Sequence, residues 1–387
     1  MSDSNRMQCH VCGGDLVEHP EFRLLLGVTS DARPWRAGSR LASCRDCNMT
    51  IKVIDEEWRQ SVKEIYETYI VYHQSNGAEK LSFDADQKIV EPRSLALVRK
   101  LLDVAPVRKT GRSLDIGTGT GVMLRALSQC RPDMKLWAQD LSAEKAQELS
   151  SIHGFQGLHV GDVTAIQDTY DVVTMVQVLE HVPDPRAFLV ALKPLLGKNG
   201  VLTVNIPDAA ANPFDISIVD HCSHFTLAHL QALIRSAGYD VLFASNSFLP
   251  RELVVIAQPA GAPRAPDWPS AKLPLSGYVR WLESVLAKAQ SLQASGPMAL
   301  FGASNAGTWV CGALEGWTGV FVDEDSNRVG NKLLGHPIVS PSAVAAGTTV
   351  FVPLADALAV KIAKRLSNQK TRYVVPDVMD AVAVQEQ

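Results

Sequence analysis

The stretch LDIGTGTGVML, Leu114 to Leu124, constrains the fold more than any other part of the chain. A short apolar run ends at a glycine, two more glycines follow at alternate positions, and an apolar helical pattern resumes. Gly117, Gly119 and Gly121 let the backbone take angles closed to other residues and approach a ligand closely. The helix that follows offers unbonded N–H groups at the same point. Its flanks agree with this reading. From Ser113 to about Ala257 short runs, SLDIG, KLWAQD, LHVGD, DVVTMV, VLTVNI and LVVIA, alternate with amphipathic segments. That alternation predicts a mostly parallel sheet with helices on both faces.

Two acids extend the pattern. Asp140, 25 positions after Asp115, closes the second run, where a carboxylate can accept both hydroxyls of a ribose. Asp162, after Gly161, closes the third run, where an acid can meet an adenine amino group. The alternative is that Asp140 and Asp162 only cap the helices that follow.

A break comes at QPAGAPRAPDWPSAKLP, Gln258 to Pro274, whose five prolines can neither continue a helix nor donate within a sheet. After a helical stretch, GYVRWLESVLAKAQ, the alternation restarts with MALFG, GVFVD, HPIVS, TTVFVPL and RYVVPD. Here Gly302 ends a strand, and Ser304, Asn305 and Gly307 form a polar turn opening a helix. Asp323 lies 21 residues after Gly302, which repeats the glycine-then-acid spacing. This turn suits the diphosphate or sugar of a nucleotide-linked ligand; a nucleotide fold kept only for packing is the other reading.

Four cysteines stand in two pairs, Cys9 with Cys12 and Cys44 with Cys47, separated by 31 residues. Thiolates two residues apart can share one tetrahedral zinc, and two pairs complete a closed four-sulfur site with no open position for chemistry. Gly13-Gly14 suits the tight turn of such a knuckle. His10 lies inside a pair and is not expected as a ligand. Cys130, Cys222 and Cys311 have no partner spacing and read as small buried residues.

With 387 residues, two or three domains are expected. The chain is 46% hydrophobic and 20% charged with net charge −4, which favours neither nucleic acid nor an anionic membrane as partner. The first residues carry no apolar run, and nothing approaches the ~18 apolar residues of a membrane span. A reducing cytoplasmic setting is therefore expected, and it disfavours disulfides.

LDIGTGTG, AQDLS, VGDV and VVTMVQVLEHVPDP resemble the successive motifs of class I S-adenosylmethionine-dependent methyltransferases. The resemblance covers roughly Ser113 to Ala257. It implies Asp115, Gly117 and Gly119 near the methionine portion of the donor, Asp140 at the ribose, and Asp162 and Val163 at the adenine. Gln177 would line the sulfonium side; Glu180 and His181 either belong to the site or only fix the turn.

The order of parts resembles the three-part sugar C-methyltransferases, which act on nucleotide-linked keto-deoxysugars. It implies an α/β chain with a small N-terminal zinc-binding module (1–60) and a Rossmann-like class I core with a helical lead-in (61–258). A proline-rich linker and helix (259–295) and a second, smaller Rossmann-like domain (296–387) would follow. YETYIVYHQS, around Tyr69 and Tyr72, resembles that family's tyrosine-rich segment, with Tyr72 orienting the sugar. FGASNAGT, VDEDSNRVG and GHPI resemble motifs of its C-terminal domain. Tyr69, His181, Gly302, Ser304, Asn305, Gly307 and Asp323 are then the candidate acceptor contacts.

The stretch VDHCSHFT, Val219 to Thr226, follows the fifth core run and precedes a helical one, LAHLQALIRSAG. Loops at the carboxyl ends of strands face the ligand crevice. The family has a tyrosine-histidine-glutamate-histidine-phenylalanine run here, whose last histidine takes a proton from the carbon to be methylated. That role falls on His224, while Ser223 and Cys222 replace the glutamate and the earlier histidine. His224 is thus a base or a packing residue, and carbon and oxygen methylation both stay open. Alternation along an extended loop would turn His221 away from whatever His224 faces.

The resulting expectation is methyl transfer from S-adenosylmethionine to a sugar, which the resemblance implies is nucleotide-linked. Alternatives are an O- or N-methyltransferase of another small polar metabolite, and a non-catalytic S-adenosylmethionine-binding scaffold or sensor. A monomer or homodimer is expected.

Overall fold

The computed structural model describes residues 7–70, 75, 77–79, 81–83, 89–354 and 357–379. The cysteine-bearing segment forms short strands β1 (Leu16–Glu18), β2 (Gly27–Val28), β3 (Pro34–Trp35), β4 (Leu41–Cys44) and β5 (Thr50–Lys52). Helix α1 (Glu56–Glu67) follows, opened by Asp55, whose carboxylate accepts the Trp58 N–H at 2.9 Å. An antiparallel pair, β6 (Leu81–Phe83) and β7 (Ile89–Pro92), leads into α2 (Arg93–Val104).

The central unit contains β8 (Arg112–Ile116), α3 (Val122–Cys130), β9 (Lys135–Asp140), α4 (Ala146–Ser150), β10 (Phe155–Val160) and β11 (Tyr170–Val176). It continues through α5 (Pro185–Leu192), β12 (Leu196–Pro207), β13 (Ser223–His224), α6 (Leu227–Ser236), β14 (Tyr239–Leu249) and β15 (Glu252–Pro259). Seven strands make one sheet in the order β10-β9-β8-β11-β12-β15-β14. The first five are parallel, and β15 runs antiparallel to both β12 and β14. All six apolar runs expected as strands are strands. The seventh, β14, carries Asp240, Ser245, Asn246 and Ser247, and this polarity hides it from a search for apolar runs.

After α7 (Leu275–Ser295) come β16 (Met298–Phe301), α8 (Asn305–Ala313), β17 (Phe321–Val322), β18 (Lys332–Leu333), β19 (His336–Val339), β20 (Thr349–Phe351), α9 (Ala357–Leu366) and β21 (Arg372–Val374). Their sheet has the order β18-β19-β17-β16-β20-β21, parallel except at β18. Crossing outward in both directions from β16 gives the doubly wound arrangement.

The cysteine-bearing segment shares its cores with both larger sheets. Cys9, Cys44, Cys47, Met49 and Ile51 pack in one cluster with Phe225, Leu230 and Leu233 beneath the central sheet. Phe22, Leu25, Val28 and Leu41 pack in another with Phe214, Ile216 and Ile218 and with α7, α8 and β16. The segment also takes β13 into its own sheet, in the order β1-β4-β5-β13, with Ser223 opposite Ile51 and His224 opposite Thr50. The proline-rich stretch is pinned across the same surface. Arg264 N–H donates to the Ser236 carbonyl and the Asn48 amide to the Pro269 carbonyl, both at 2.9 Å.

Trp309 on α8 joins all three regions. It is 1% exposed, its indole N–H donates to the Leu26 carbonyl at 2.7 Å, and its ring stands edge-on to Phe214 at 5.5 Å. Trp309→Ala leaves a large cavity and an unpaired carbonyl, so it should cost roughly 3–5 kcal/mol of unfolding free energy. Denaturant titration checks this; a loss under ~1 kcal/mol would contradict the packing described.

Candidate active site

The carboxyl ends of β8, β9 and β11 surround the first glycine turn. Gly117 has φ 63°, and a Cβ there would stand 2.5 Å from Val178 Cγ2, so the turn admits no side chain at this position. Asp140 reaches across it: Oδ2 accepts the Gly119 N–H at 3.0 Å and Oδ1 the Ser142 N–H at 3.3 Å. Asp115 is buried beneath the turn and accepts the Thr174 hydroxyl at 2.6 Å. Burial pushes its carboxyl up to about 7, and hydrogen bonds from Thr174 and Thr118 oppose that rise.

Asp162 is exposed and caps a short 3-10 turn, accepting the Thr164 N–H at 2.8 Å and its hydroxyl at 2.7 Å. The capping alternative therefore describes Asp162 as it stands. The Val163 side chain is in the core, leaving only its backbone for a ligand. Gln177, just after β11, has φ 56° and donates its N–H to the Asn205 carbonyl at 2.8 Å. Its side-chain nitrogen is buried with no hydrogen-bond partner among the described residues. A left-handed non-glycine residue with an orphaned amide at a crevice edge is typical of a functional position.

The stretch Val219 to Thr226 is not an extended loop. Only Ser223 and His224 are strand, and the preceding turn curls around a carboxylate that the sequence did not flag. Asp215 is 2% exposed; Oδ1 accepts His221 Nδ1–H at 2.8 Å and Oδ2 accepts His224 Nδ1–H at 2.6 Å. The expectation that His221 and His224 face different ways is thus corrected. One carboxylate has an oxygen for each ring. Burial opposes a charge on Asp215, but the two imidazoles, His221 foremost, outweigh it and hold the carboxyl well below the ordinary range.

The two rings respond differently. Burial pulls His221 down, but Asp215, aided by Glu180 and Asp220, lifts it to about 8. Burial also pulls His224 down, and here it wins: the imidazole lies at about 4 despite Asp215, with Lys52 and His221 adding repulsion. His224 Nε2 is buried without a hydrogen-bond partner among the described residues. Lys52, fully buried, donates to the Ile216 carbonyl and lies 4.3 Å from the Phe22 ring centre. Burial brings its ammonium down to about 7, against the pull of Asp215 and Asp220.

Glu180 and His181 join this cluster after β11. The His181 ring meets His221 edge-on at 4.7 Å, and its Nδ1 lies 2.9 Å from the Asp220 carbonyl and 3.2 Å from the Tyr66 hydroxyl. Burial, reinforced by His221, lowers His181 to about 4, and burial raises Glu180 to about 8 against the His221 charge. Asp220 accepts from Ser30, its N–H at 2.9 Å and its hydroxyl at 2.5 Å, and Ser30 Oγ also bonds the Tyr69 hydroxyl at 3.2 Å. Tyr69 is therefore beside the cluster, and Tyr72 lies outside the described residues. Asp215, Lys52 and Tyr66 were missed in the sequence. Tyr66 alone had a readable signal, since it stands three residues before Tyr69.

The four cysteines come together. Cys9 Sγ lies 3.7 Å from Cys47 Sγ, and Cys12 Sγ lies 3.4 Å from Cys44 Sγ. All four sulfurs lie within 4.8 Å of one another. Zinc–sulfur bonds of ~2.3 Å at tetrahedral angles place sulfurs about 3.8 Å apart, so this donor set fits zinc. N–H groups of Gly14, Asp46 and Cys47 point at Cys12 and Cys44, the arrangement that supports thiolates. His10 is not a ligand here; its Nε2 bonds Ser223 Oγ at 2.8 Å.

In the C-terminal sheet, Gly302 has φ 90° and a Cβ on Gly307 would meet the Gly302 oxygen at 2.2 Å, so the turn packs directly on the start of α8. Ser304 and Asn305 stand at that start. Asp323 is turned inward. Oδ2 accepts the Ala303 N–H at 2.9 Å and Arg328 at 3.1 Å, and Oδ1 accepts the Asp325 N–H at 2.9 Å.

A seven-stranded sheet in this order, a glycine turn after its first strand and an acid closing the second define the class I S-adenosylmethionine-dependent methyltransferase fold. Residues 89–243 match the family model described as a methyltransferase domain. A stretch of 98 residues is 33% identical to a ubiquinone biosynthesis O-methyltransferase of Bordetella avium (strain 197N), covering 23% of this chain and 39% of that protein. Another of 142 residues is 30% identical to the protein of that name from Xanthomonas oryzae pv. oryzae (strain PXO99A), covering 34% of this chain and 55% of the relative. The chain thus spans about half or less of the length of these curated relatives. A solved S-adenosylmethionine-dependent methyltransferase from Clostridium acetobutylicum ATCC 824 is similar over 53% of this chain and 98% of its own, at 13% identity and TM-score 0.37. No helix among the described residues is long and apolar enough to cross a membrane.

Acid sensitivity follows from His224. Unfolded, it takes a proton near pH 6.5; folded, only near 4, so acidification between these values favours the unfolded chain. His224→Gln should remove this contribution, flattening the dependence of unfolding free energy on pH by up to about 1.4 kcal/mol per unit between pH 6 and 5. Denaturant titrations across that window check it; parallel curves would contradict a buried neutral His224.

Proposed function

We propose that the protein transfers a methyl group from S-adenosylmethionine to a sugar, nucleotide-linked, at carbon or oxygen. The observation that carries this reading is the crevice itself. A glycine turn closed to side chains, with Asp140 across it, stands beside the buried histidine–carboxylate cluster. The cradle at Gly117, the carboxylate of Asp140 and the orphaned Gln177 amide fit the donor. Asp140 would exchange its Gly119 contact for the ribose hydroxyls, while Asp162 and the Val163 backbone would meet the adenine.

The donor supplies an electrophilic methyl group, and the chain orients the acceptor and moves its proton. His224 is the proton acceptor in this reading. Its Nδ1–H is fixed by Asp215, which leaves the lone pair on Nε2. Tyr69, Tyr72 and His181 would hold the acceptor. The C-terminal turn at Gly302, Ser304, Asn305 and Gly307 would take the nucleotide part through free amides at the start of α8. Asp323 shapes that turn from within. Zinc would be held by Cys9, Cys12, Cys44 and Cys47 and serve structure alone. Oxygen methylation of another polar metabolite is the second reading, and the O-methyltransferase names of the matched relatives favour it.

Labelled donor incubated with a panel of nucleotide-sugars, followed by product analysis, tests the acceptor. Deuterium on the carbon to be methylated washes out if carbon accepts the methyl and stays if oxygen does. Calorimetry tests the donor site: Asp140→Ala should weaken S-adenosylmethionine binding about 10–100-fold, the worth of a charged hydrogen-bond pair. Unchanged affinity would remove the ribose assignment.

A further inference from the structure

We propose that Glu180, His181 and His221 form a binding site for a first-row divalent cation, separate from the four cysteines. A Glu180 oxygen and one nitrogen of each imidazole lie within 4.8 Å of one another. Glu180 is 1% exposed, and neither carboxylate oxygen takes a hydrogen bond from another described residue. A buried carboxylate left this way is costly, and buried charges in proteins are paired or bind metal.

The histidines are prepared as ligands. His221 donates Nδ1–H to Asp215 at 2.8 Å, and His181 directs Nδ1 at the Asp220 carbonyl at 2.9 Å. Both acceptors occupy Nδ1 and leave Nε2 of each ring as the nitrogen for a metal, which would displace any proton there. Metal-binding histidines almost always donate their other N–H to a carboxylate or backbone carbonyl in this way. Two imidazoles and one carboxylate suit zinc, cobalt, manganese or ferrous iron better than calcium or magnesium. Unlike the closed four-sulfur site, three protein ligands leave coordination open. Oxygens of the acceptor suit those positions; that last assignment alone rests on the methyl-transfer reading.

The rival account is an ion pair between Glu180 and protonated His221 with no metal. The two differ in metal uptake. Without metal, Glu180→Gln removes one partner of the pair and leaves cation uptake unchanged; with metal, it loses a ligand.

Equilibrium dialysis of the full-length protein, its cysteine site first filled with zinc, against cobalt(II) decides between them. The wild type should take up one further equivalent, with visible bands free of thiolate charge transfer. Glu180→Gln and His181→Ala should each weaken that uptake at least 100-fold, and Asp215→Asn about 10–100-fold, as for the loss of a ligand's supporting contact. No second equivalent in the wild type, or uptake unchanged in Glu180→Gln, would overturn the proposal. The wild-type count decides alone should a variant fail to fold. Neither donor nor acceptor is present, so the outcome is independent of whether methyl transfer is the activity.

Discussion

One buried carboxylate organises this molecule. Asp215 binds two imidazoles at once and stays ionised while fully enclosed, because His221 and His224 return by hydrogen bond and charge what burial removes. The segment from Asp208 to Phe225 is almost wholly buried, which is unusual for a connection between strands. Its polar groups can be buried because nearly all find a partner, with His224 Nε2 left over among the described residues. Removing the carboxylate would leave two imidazole N–H groups orphaned in the centre of the protein.

That segment is also where the parts meet. Its two-residue strand β13 extends the sheet of the cysteine-bearing segment, and Phe214, Ile216 and Ile218 enter the core beneath α7 and α8. His10 inside the first cysteine pair bonds Ser223, and His229 bonds the Cys47 carbonyl at 3.0 Å. The four thiols therefore stand one strand away from the histidine cluster. A metal there would not take part in the chemistry, but it would fix the strand that positions His224.

Much of this was legible in the sequence, for physical reasons that differ by feature. The glycine turn could be read because backbone angles and close approach leave no choice of residue at Gly117. The cysteine pairs could be read because tetrahedral coordination sets a short spacing. Strands β8 to β12 showed themselves as apolar runs because both faces of a parallel sheet are covered. Strand β14 escaped because it lies at the sheet edge with polar residues on its exposed side. Asp215 escaped for a deeper reason. A lone acid in a loop carries no sign of what will fold over it, and its meaning comes from two histidines, six and nine residues later, curling back on one carboxylate. The antiparallel match of Ser223 with Ile51 is likewise a product of the tertiary fold, and His221 was assigned the wrong direction for lack of it.

The account stands on the link between the cysteine site and the histidine loop, and amide hydrogen exchange measures it directly. Exchange should be followed on protein first loaded with zinc and again after a chelator has stripped the metal. The prediction is a rise in exchange at Thr50–Lys52 and Ser223–His224, where β5 pairs with β13, while Met298–Phe301 in the C-terminal sheet stays protected. Exchange at Ser223–His224 that stays at its original level while the cysteine-bearing segment opens would show that the loop is held from elsewhere, and the account would be wrong.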